Sequence, residues 1–135
     1  MFQSEVSIRV RYAETDRMEY VYYGRYAEYF EIARVETLRS LGITYRELED
    51  SGILLPVLEY QVKFLKPVYY DEMITVKTVI PVLPAARIQF EYETFNNENV
   101  RVNIASTSLV FIRKETKKPC AAPESLLSRL RPYFS

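Results

Sequence analysis

Over residues 6–12 the apolar positions Val6, Ile8, Val10 and Tyr12 alternate with Ser7, Arg9 and Arg11, and a period of two predicts a strand with one face in the core. The period then changes. Over residues 24–41 the positions Tyr26, Phe30, Ala33, Thr37 and Leu41 recur at spacings of three or four, which predicts an amphipathic helix of about five turns. Its other side carries the opposite-charge pairs Arg25/Glu28, Glu31/Arg34 and Glu36/Arg39, and Gly42 follows as a stop. A second, short helix is predicted over residues 45–51, with Thr44 as N-cap, Glu47 as its capping-box partner and Gly52 beyond its end.

Past Pro56 the period of two returns. Leu58, Tyr60, Val62 and Phe64 oppose Glu59, Gln61 and Lys63 in a strand that stops before Pro67. A third strand over 73–80 sets Ile74, Val76 and Ile80 against Thr75 and Lys77, and a fourth over 87–95 sets Ile88, Phe90 and Tyr92 against Gln89, Glu91 and Glu93. The run NNEN makes a hairpin turn into a long fifth strand over 100–113. Its apolar set moves from Val100, Val102 and Ile104 to Leu109 and Phe111, so it contains a bulge or is covered on both faces toward its end. A short helix is expected over 123–134. The order is β-α-β-β-β-β. One sheet with a single apolar face and one helix with a single apolar stripe have only each other to bury against, so the expected class is α+β, a curved antiparallel five-stranded sheet wrapped around one long central helix. The outward sheet face, with Gln61, Thr75, Gln89, Ser106, Thr107 and Ser108, is polar, and an uncovered edge strand invites pairing with a second copy, so a homodimer or a dimer of dimers is expected.

Composition narrows what such a domain does. The 135 residues suit one domain, 1–135, and 18 basic residues balance 18 acidic ones, so no net field draws in nucleic acid or an anionic membrane. A single cysteine, Cys120, excludes an internal disulfide and paired-cysteine metal or redox motifs. No apolar run reaches the length of a membrane span, and residues 1–10 lack the pattern of a signal peptide, so the expected location is cytoplasmic. The chain has no histidine, which removes the usual general base and the commonest metal ligand together. Carboxylates must carry any proton chemistry. With only Gly24, Gly42 and Gly52 available, no glycine-rich phosphate loop can be drawn.

Four linked stretches, VRYAETDRM, YVYYGRYAEYFEIAR, LRSLGITYRELEDSGILLPV and FLKPVYYDEMITVKT, together resemble the hotdog-fold acyl-CoA thioesterases of the 4-hydroxybenzoyl-CoA thioesterase family, over almost the whole chain. The resemblance implies a hotdog fold and hydrolysis of a short or medium, aliphatic or aromatic acyl thioester of coenzyme A or of an acyl carrier protein. Coenzyme A is then part of the substrate and no separate cofactor is expected. The family's catalytic Asp, in a loop just before the long helix, matches Asp16. Its carbonyl-polarising backbone N–H, seven residues further on, matches the amide of Tyr23. The chain departs from the family in two places: Glu19 stands where many members have Gly, and Tyr23 where many have His. A main-chain donor does not depend on its side chain, whereas Glu19 adds charge and bulk near the expected pocket.

This chemistry does not need histidine. A thiolate leaves without strong protonation, so an ionised carboxylate and a preorganised donor at a helix N-terminus suffice. Asp16 either attacks directly, giving a mixed anhydride, or takes a proton from an attacking water. Tyr20, Tyr22 and Tyr26 are candidates for lining an acyl pocket, and Glu59, Lys63 and Arg87 for reaching substrate across a subunit boundary; Lys66, Arg113 and Lys114 are candidates for the coenzyme phosphates. Glu14 is expected to be a solvated loop charge rather than an auxiliary carboxylate, and Cys120 to be inert. Two other readings stay open: a hydratase on the same fold, which would need the missing histidine, and a non-catalytic dimer that binds an acyl thioester or a protein.

Overall fold

The computed structural model describes residues 1–134. In chain order it contains β1 (Phe2–Arg9), α1 (Tyr26–Ser40), α2 (Tyr45–Asp50), β2 (Ile53–Leu54), β3 (Val57–Phe64), β4 (Met73–Ile80), β5 (Arg87–Phe95), β6 (Arg101–Val110), β7 (Ile112–Arg113) and α3 (Glu124–Leu130). Five strands form one antiparallel sheet in the order β1-β4-β5-β6-β3, the five-stranded α+β arrangement expected from the alternation. The register lines up rows of inward residues across the sheet. One row is Val76, Thr94, Asn103 and Phe64, and the next runs from Thr78 through Tyr92 and Ala105 to Val62. Helix α1 lies on this face and buries Tyr26, Tyr29, Phe30, Ala33, Arg34, Thr37 and Leu38. Phe30 sits between Tyr92 and Tyr60, with ring centroids 4.6 and 6.1 Å away. Burial of each such ring contributes on the order of 2 kcal/mol.

Several expectations need correction. The first strand begins at Phe2 and ends at Arg9, because after Val10 the chain turns out of the sheet: Val10 N–H donates to the Glu72 carbonyl at 2.9 Å and Tyr12 enters a 3-10 turn. Tyr12 is therefore 76% exposed rather than on the core face. Arg34 is not on the charged side of α1. It is buried, with Nε 3.3 Å from the Tyr45 hydroxyl and Nη1 3.3 Å from the Tyr92 hydroxyl, which bonds Thr107 Oγ1 at 2.7 Å. The pairs Arg25–Glu28 and Glu36–Arg39 form as expected, at 2.8 and 3.4 Å. Helix α1 ends at Ser40 with Gly42 at φ +85°, a backbone conformation that suits glycine. Thr44 caps α2 by accepting from Glu47 N–H at 3.1 Å. The bulge expected in the long fifth strand occurs in β6, where the partners of Thr94 and Phe95 jump from Asn103 to Arg101 and skip Val102. The end of that run leaves the sheet as β7 and pairs with the short β2, which the alternation does not reveal. The tail helix is shorter than expected and continues as a 3-10 turn over Arg131–Tyr133.

Strand β3 is an open edge, and the residues expected to be core there are exposed. Leu58, Tyr60 and Phe64 are 40–49% accessible, because the edge extends past the cover that α1 provides. On the opposite face of the sheet Lys63, Gln61, Gln89, Glu91 and Arg101 line a shallow groove of about 490 Å³. Among the described residues no helix is long and apolar enough to cross a membrane.

Candidate active site

Three segments meet at the leading end of α1: the loop over 11–22, the first helical turn, and the chain leaving β3. The loop is built by short-range bonds. After the 3-10 turn over Tyr12–Glu14, Thr15 donates to the Tyr12 carbonyl through both N–H (3.1 Å) and Oγ1 (2.7 Å). The chain then reverses: Asp16 N–H donates to the Tyr20 carbonyl at 3.0 Å, Glu19 N–H to the Asp16 carbonyl at 3.0 Å, and Met18 N–H to Asp16 Oδ1 at 2.7 Å. This turn forces Glu19 to φ +69°, a region glycine occupies without penalty. Bridges from Thr15 to Val21 and from Tyr20 to Tyr69 seat the turn against the segment after β3.

Glu14 fixes the loop to the helix. The expectation of a solvated charge is wrong: Glu14 is only 5% exposed. Its Oε1 accepts from Arg11 N–H and from the Tyr29 hydroxyl, both at 2.8 Å, and Oε2 from Arg11 Nε at 3.0 Å. Its carbonyl accepts Tyr22 N–H at 2.9 Å. Burial acts to raise the Glu14 pKa, but the Arg11 amide, the Tyr29 hydroxyl and the Arg11 guanidinium together outweigh it and hold the carboxyl below the ordinary value of 4.5. Burial, and after it the same contact, push the Tyr29 phenol well up. The signal that could have found Glu14 is weak in sequence, since Tyr29 lies fifteen positions away.

Tyr22 is extended (φ −62°, ψ 131°), and the chain then winds through a 3-10 turn, Tyr23–Arg25, into α1. The Tyr23 N–H donates to no atom among the described residues, as befits a first helical turn. Asp16 is half-buried, and with Tyr20, Val21, Tyr23 and Tyr26 it lines a cavity of about 380 Å³. Phe64, Leu65, Lys66 and Pro67 form the opposite wall. Asp16 and Tyr23 thus border one cavity. On its other side Asp16 borders a wider cleft of about 900 Å³ with Tyr12, Tyr69, Tyr70, Arg17 and Glu19. Glu19 thus lies outside the narrow cavity.

Of the sequence-predicted residues, Asp16, Tyr20, Tyr23 and Tyr26 come together, and so does Lys66. Tyr22 lines neither cavity; its ring lies 4.5 Å from that of Tyr23 and against the Cα of Gly24, where a Cβ would meet it at 2.7 Å. Lys63 is on the far face of the sheet, and Glu59 and Arg87 are exposed on β3 and β5, away from the cavity within one chain. Phe64, expected as strand core, and Leu65 and Pro67 beyond the strand form a cavity wall. Among the described residues no group of three or more His, Cys, Asp or Glu is arranged to hold a metal ion. Cys120 is half-buried and free.

Comparison with known proteins places the chain in a family. The profile of the Thioesterase-like superfamily matches residues 10–130. The chain is 33% identical over 119 residues to a putative acyl-CoA thioesterase, YneP, of Bacillus subtilis, covering 88% of this chain and 86% of that one. It is 28% identical over 123 residues to the 1,4-dihydroxy-2-naphthoyl-CoA hydrolase of Thermosynechococcus vestitus, covering 90% and 84%. Its fold superposes on a DHNA-CoA thioesterase from Staphylococcus aureus with a TM-score of 0.86 and 36% identity, over 99% of this chain and 85% of that one. With the hotdog sheet, the central helix and a profile match over most of its length, this chain belongs to the thioesterase-like superfamily and is a thioester hydrolase.

Proposed function

We propose that the protein hydrolyses acyl-CoA thioesters in the cavity at the leading end of α1, with Asp16 activating the attack and the Tyr23 N–H polarising the carbonyl. The observation that carries this reading is that half-buried Asp16 and Tyr23, whose N–H has no partner among the described residues, border one cavity. In the reaction a C–O bond forms at the acyl carbon and the C–S bond breaks; the coenzyme leaves as thiolate and the acyl group as carboxylate. The new oxygen comes from water. Either Asp16 takes the proton of the attacking water, or it adds first and the resulting anhydride is hydrolysed. The charge that develops on the carbonyl oxygen meets the Tyr23 N–H and the positive end of the helix, and one such preorganised donor contributes roughly 3–4 kcal/mol of barrier lowering. Tyr20, Tyr26 and Phe64 supply apolar walls for the acyl group, aliphatic or aromatic. Lys66 at the rim suits the phosphates of the coenzyme. No further cofactor enters this scheme.

The exposed apolar residues of β3 support assembly: a second copy pairing along this edge would cover Leu58, Tyr60 and Phe64 and close the cavity. In such a homodimer, or a dimer of dimers, Glu59, Lys63 and Arg87 are positioned to meet the partner's substrate. The test is a panel of acyl-CoA esters and one acyl carrier protein ester, with released thiol trapped by a chromogenic disulfide. Wild type is expected to turn over at least one class, and Asp16→Asn to lower kcat by roughly 10²–10⁴-fold. Equally slow release by both proteins, with ligand still bound, would instead mark a binding module.

A further inference from the structure

The loop that carries Asp16 is a small hairpin with backbone bonds of its own. Tyr22 N–H donates to the Glu14 carbonyl at 2.9 Å, Thr15 bridges Val21, and Asp16 N–H donates to the Tyr20 carbonyl at 3.0 Å. One arm thus holds Asp16, and the other runs past the Tyr23 amide into the helix. These bonds leave open the angle between hairpin and helix. The link is the turn Tyr23–Arg25, closed by Arg25 N–H on the Tyr22 carbonyl at 2.9 Å, with Gly24, the residue type of greatest backbone freedom, in its middle. Among the described residues one hydrogen bond joins the 11–22 loop to the body of α1: the Tyr29 hydroxyl donates to Glu14 Oε1 at 2.8 Å. Both of its ends are anchored. Tyr29 is completely buried and stands edge-on to Tyr26, with ring centroids 5.5 Å apart, and Tyr26 lines the cavity. On the loop side Arg11 holds the Glu14 carboxylate through its N–H and Nε.

A buried carboxylate is a costly way to close a loop, since desolvation works against its charge and an apolar side chain could fill the same space. Glu14 has a further consequence through its place in the chain. It precedes Asp16 by two residues, and Thr15 between them is extended (φ −99°, ψ 159°), so any shift of Glu14 passes directly to Asp16. Its carbonyl also takes the Tyr22 N–H, while the next amide, that of Tyr23, is left without a partner among the described residues. One residue is therefore bonded to both arms of the hairpin and to the helix. We propose that Glu14 is a positioning residue for thioester cleavage: by bonding Tyr29 it locks the hairpin to α1 at the angle that lets Asp16 and the Tyr23 amide act on the same carbonyl. This rests on the reading of those two groups as the reacting pair. Glu14 itself lines neither cavity and acts through Asp16. The dependence is steep, because a displacement of about 1 Å at a reacting group costs on the order of 10²-fold in rate.

The test measures kcat and KM for wild type, Glu14→Ala, Glu14→Gln, Tyr29→Phe and Tyr92→Phe on an acyl-CoA that wild type hydrolyses, each protein held below the onset of its own unfolding. Glu14→Ala is expected to lower kcat by about 10²-fold and Tyr29→Phe by about tenfold, with KM within about threefold of wild type, the split that marks an interaction serving the transition state. Glu14→Gln, which keeps the length and an acceptor for Tyr29, should restore kcat to within about threefold. Adding Tyr29→Phe to Glu14→Ala should cost nothing further, because both act through one bond. Tyr92→Phe breaks a buried cluster at the middle of the same helix and should keep kcat within about twofold. If Glu14→Ala does not fold, Tyr29→Phe, which removes one oxygen, carries the test. A kcat near wild type in Tyr29→Phe, a loss confined to KM, or an equal loss in Tyr92→Phe overturns the proposal while leaving the functional reading intact. If wild type hydrolyses no ester, the functional reading fails, and the clamp is judged by amide exchange. Relative to intrinsic rates, the Tyr22 N–H must exchange about tenfold or more slowly than that of Tyr23 and lose this protection in Tyr29→Phe, with the amides of the middle of α1 unchanged; protection that persists in the variant overturns it.

Discussion

Helix α1 covers two kinds of buried polar cluster, and they differ in one respect. Near its middle, Arg34, Tyr45, Tyr92 and Thr107 bond one another: the guanidinium donates to both phenols, and the Tyr92 hydroxyl pairs with Thr107. Burial alone would lower the Arg34 pKa and raises that of Tyr92 to about 12, yet the phenols offset the first effect so far that Arg34 ends above its ordinary value. At its first turn, Asn103 and Thr94 are as deeply buried and bond nothing. The first cluster closes on itself, so it holds the helix to the sheet. The second is left open. Burial therefore does not tell a polar group that ties elements together from one that does not; its hydrogen bonds do.

The largest effect should come from breaking the closed cluster. Tyr92→Phe removes a bond to a buried cation and leaves the Thr107 hydroxyl alone, a loss of about 2–3 kcal/mol. The urea midpoint should fall accordingly. By contrast Asn103→Leu deletes only unsatisfied atoms, so its stability should lie within about 1 kcal/mol of wild type or above it. If the two variants lose equal stability, the distinction between the clusters fails.

Glu14 is a third polar cluster, closed like that of Arg34 but placed at the loop that carries Asp16. Because its folded pKa is depressed, the stability it contributes is fully present above the ordinary value of 4.5 and is lost as pH falls through the lower folded value. Glu14→Gln keeps one acceptor for Tyr29 and the Arg11 amide and removes the titration. Chemical unfolding at stepped pH should therefore show wild type ahead of the variant by about 1–2 kcal/mol at neutral pH, with the gap closing below pH 4.5. A gap independent of pH would mean that the Glu14 charge adds nothing.

Much of this fold is legible in the chain. Alternation places β3, β4 and β5 to within a residue or so, and the spacing of three and four sets the buried stripe of α1. What escapes are features decided by partners distant in sequence. Arg34, three residues from Glu31, reads as half of a surface ion pair until Tyr45 and Tyr92 enclose it. Glu14 reads as a loop charge because Tyr29 reaches it only through the fold. Asn103 escapes because the β6 bulge at Val102 breaks the alternation that would have marked it as inward. The candidate site follows the same rule: Asp16 and Tyr23 lie close in sequence and the family motif names both, whereas Phe64 becomes a wall residue only when β3 closes against the helix start.

The smallest effect sharpens the comparison from the side of strain. Glu19 is held at φ +69° by the turn that carries Asp16, and it borders the wide cleft rather than the narrow cavity. A non-glycine residue there costs about 1 kcal/mol or more, part of which glycine returns through the greater freedom of its unfolded chain. Glu19→Gly is therefore expected to stabilise the protein by a net 0.5 kcal/mol, within about a factor of two, as a small rise in urea midpoint at constant m-value. Its kcat and its preference among acyl esters should match wild type within about twofold, since residue 19 enters the turn only through its backbone N–H, which donates to the Asp16 carbonyl and which glycine retains, while the Met18 N–H bond to Asp16 Oδ1 does not involve it. A marked change in ester preference without a change in stability would instead make the wide cleft, with Tyr12, Tyr69 and Tyr70, part of the acyl pocket and remove the narrow cavity's sole claim to it.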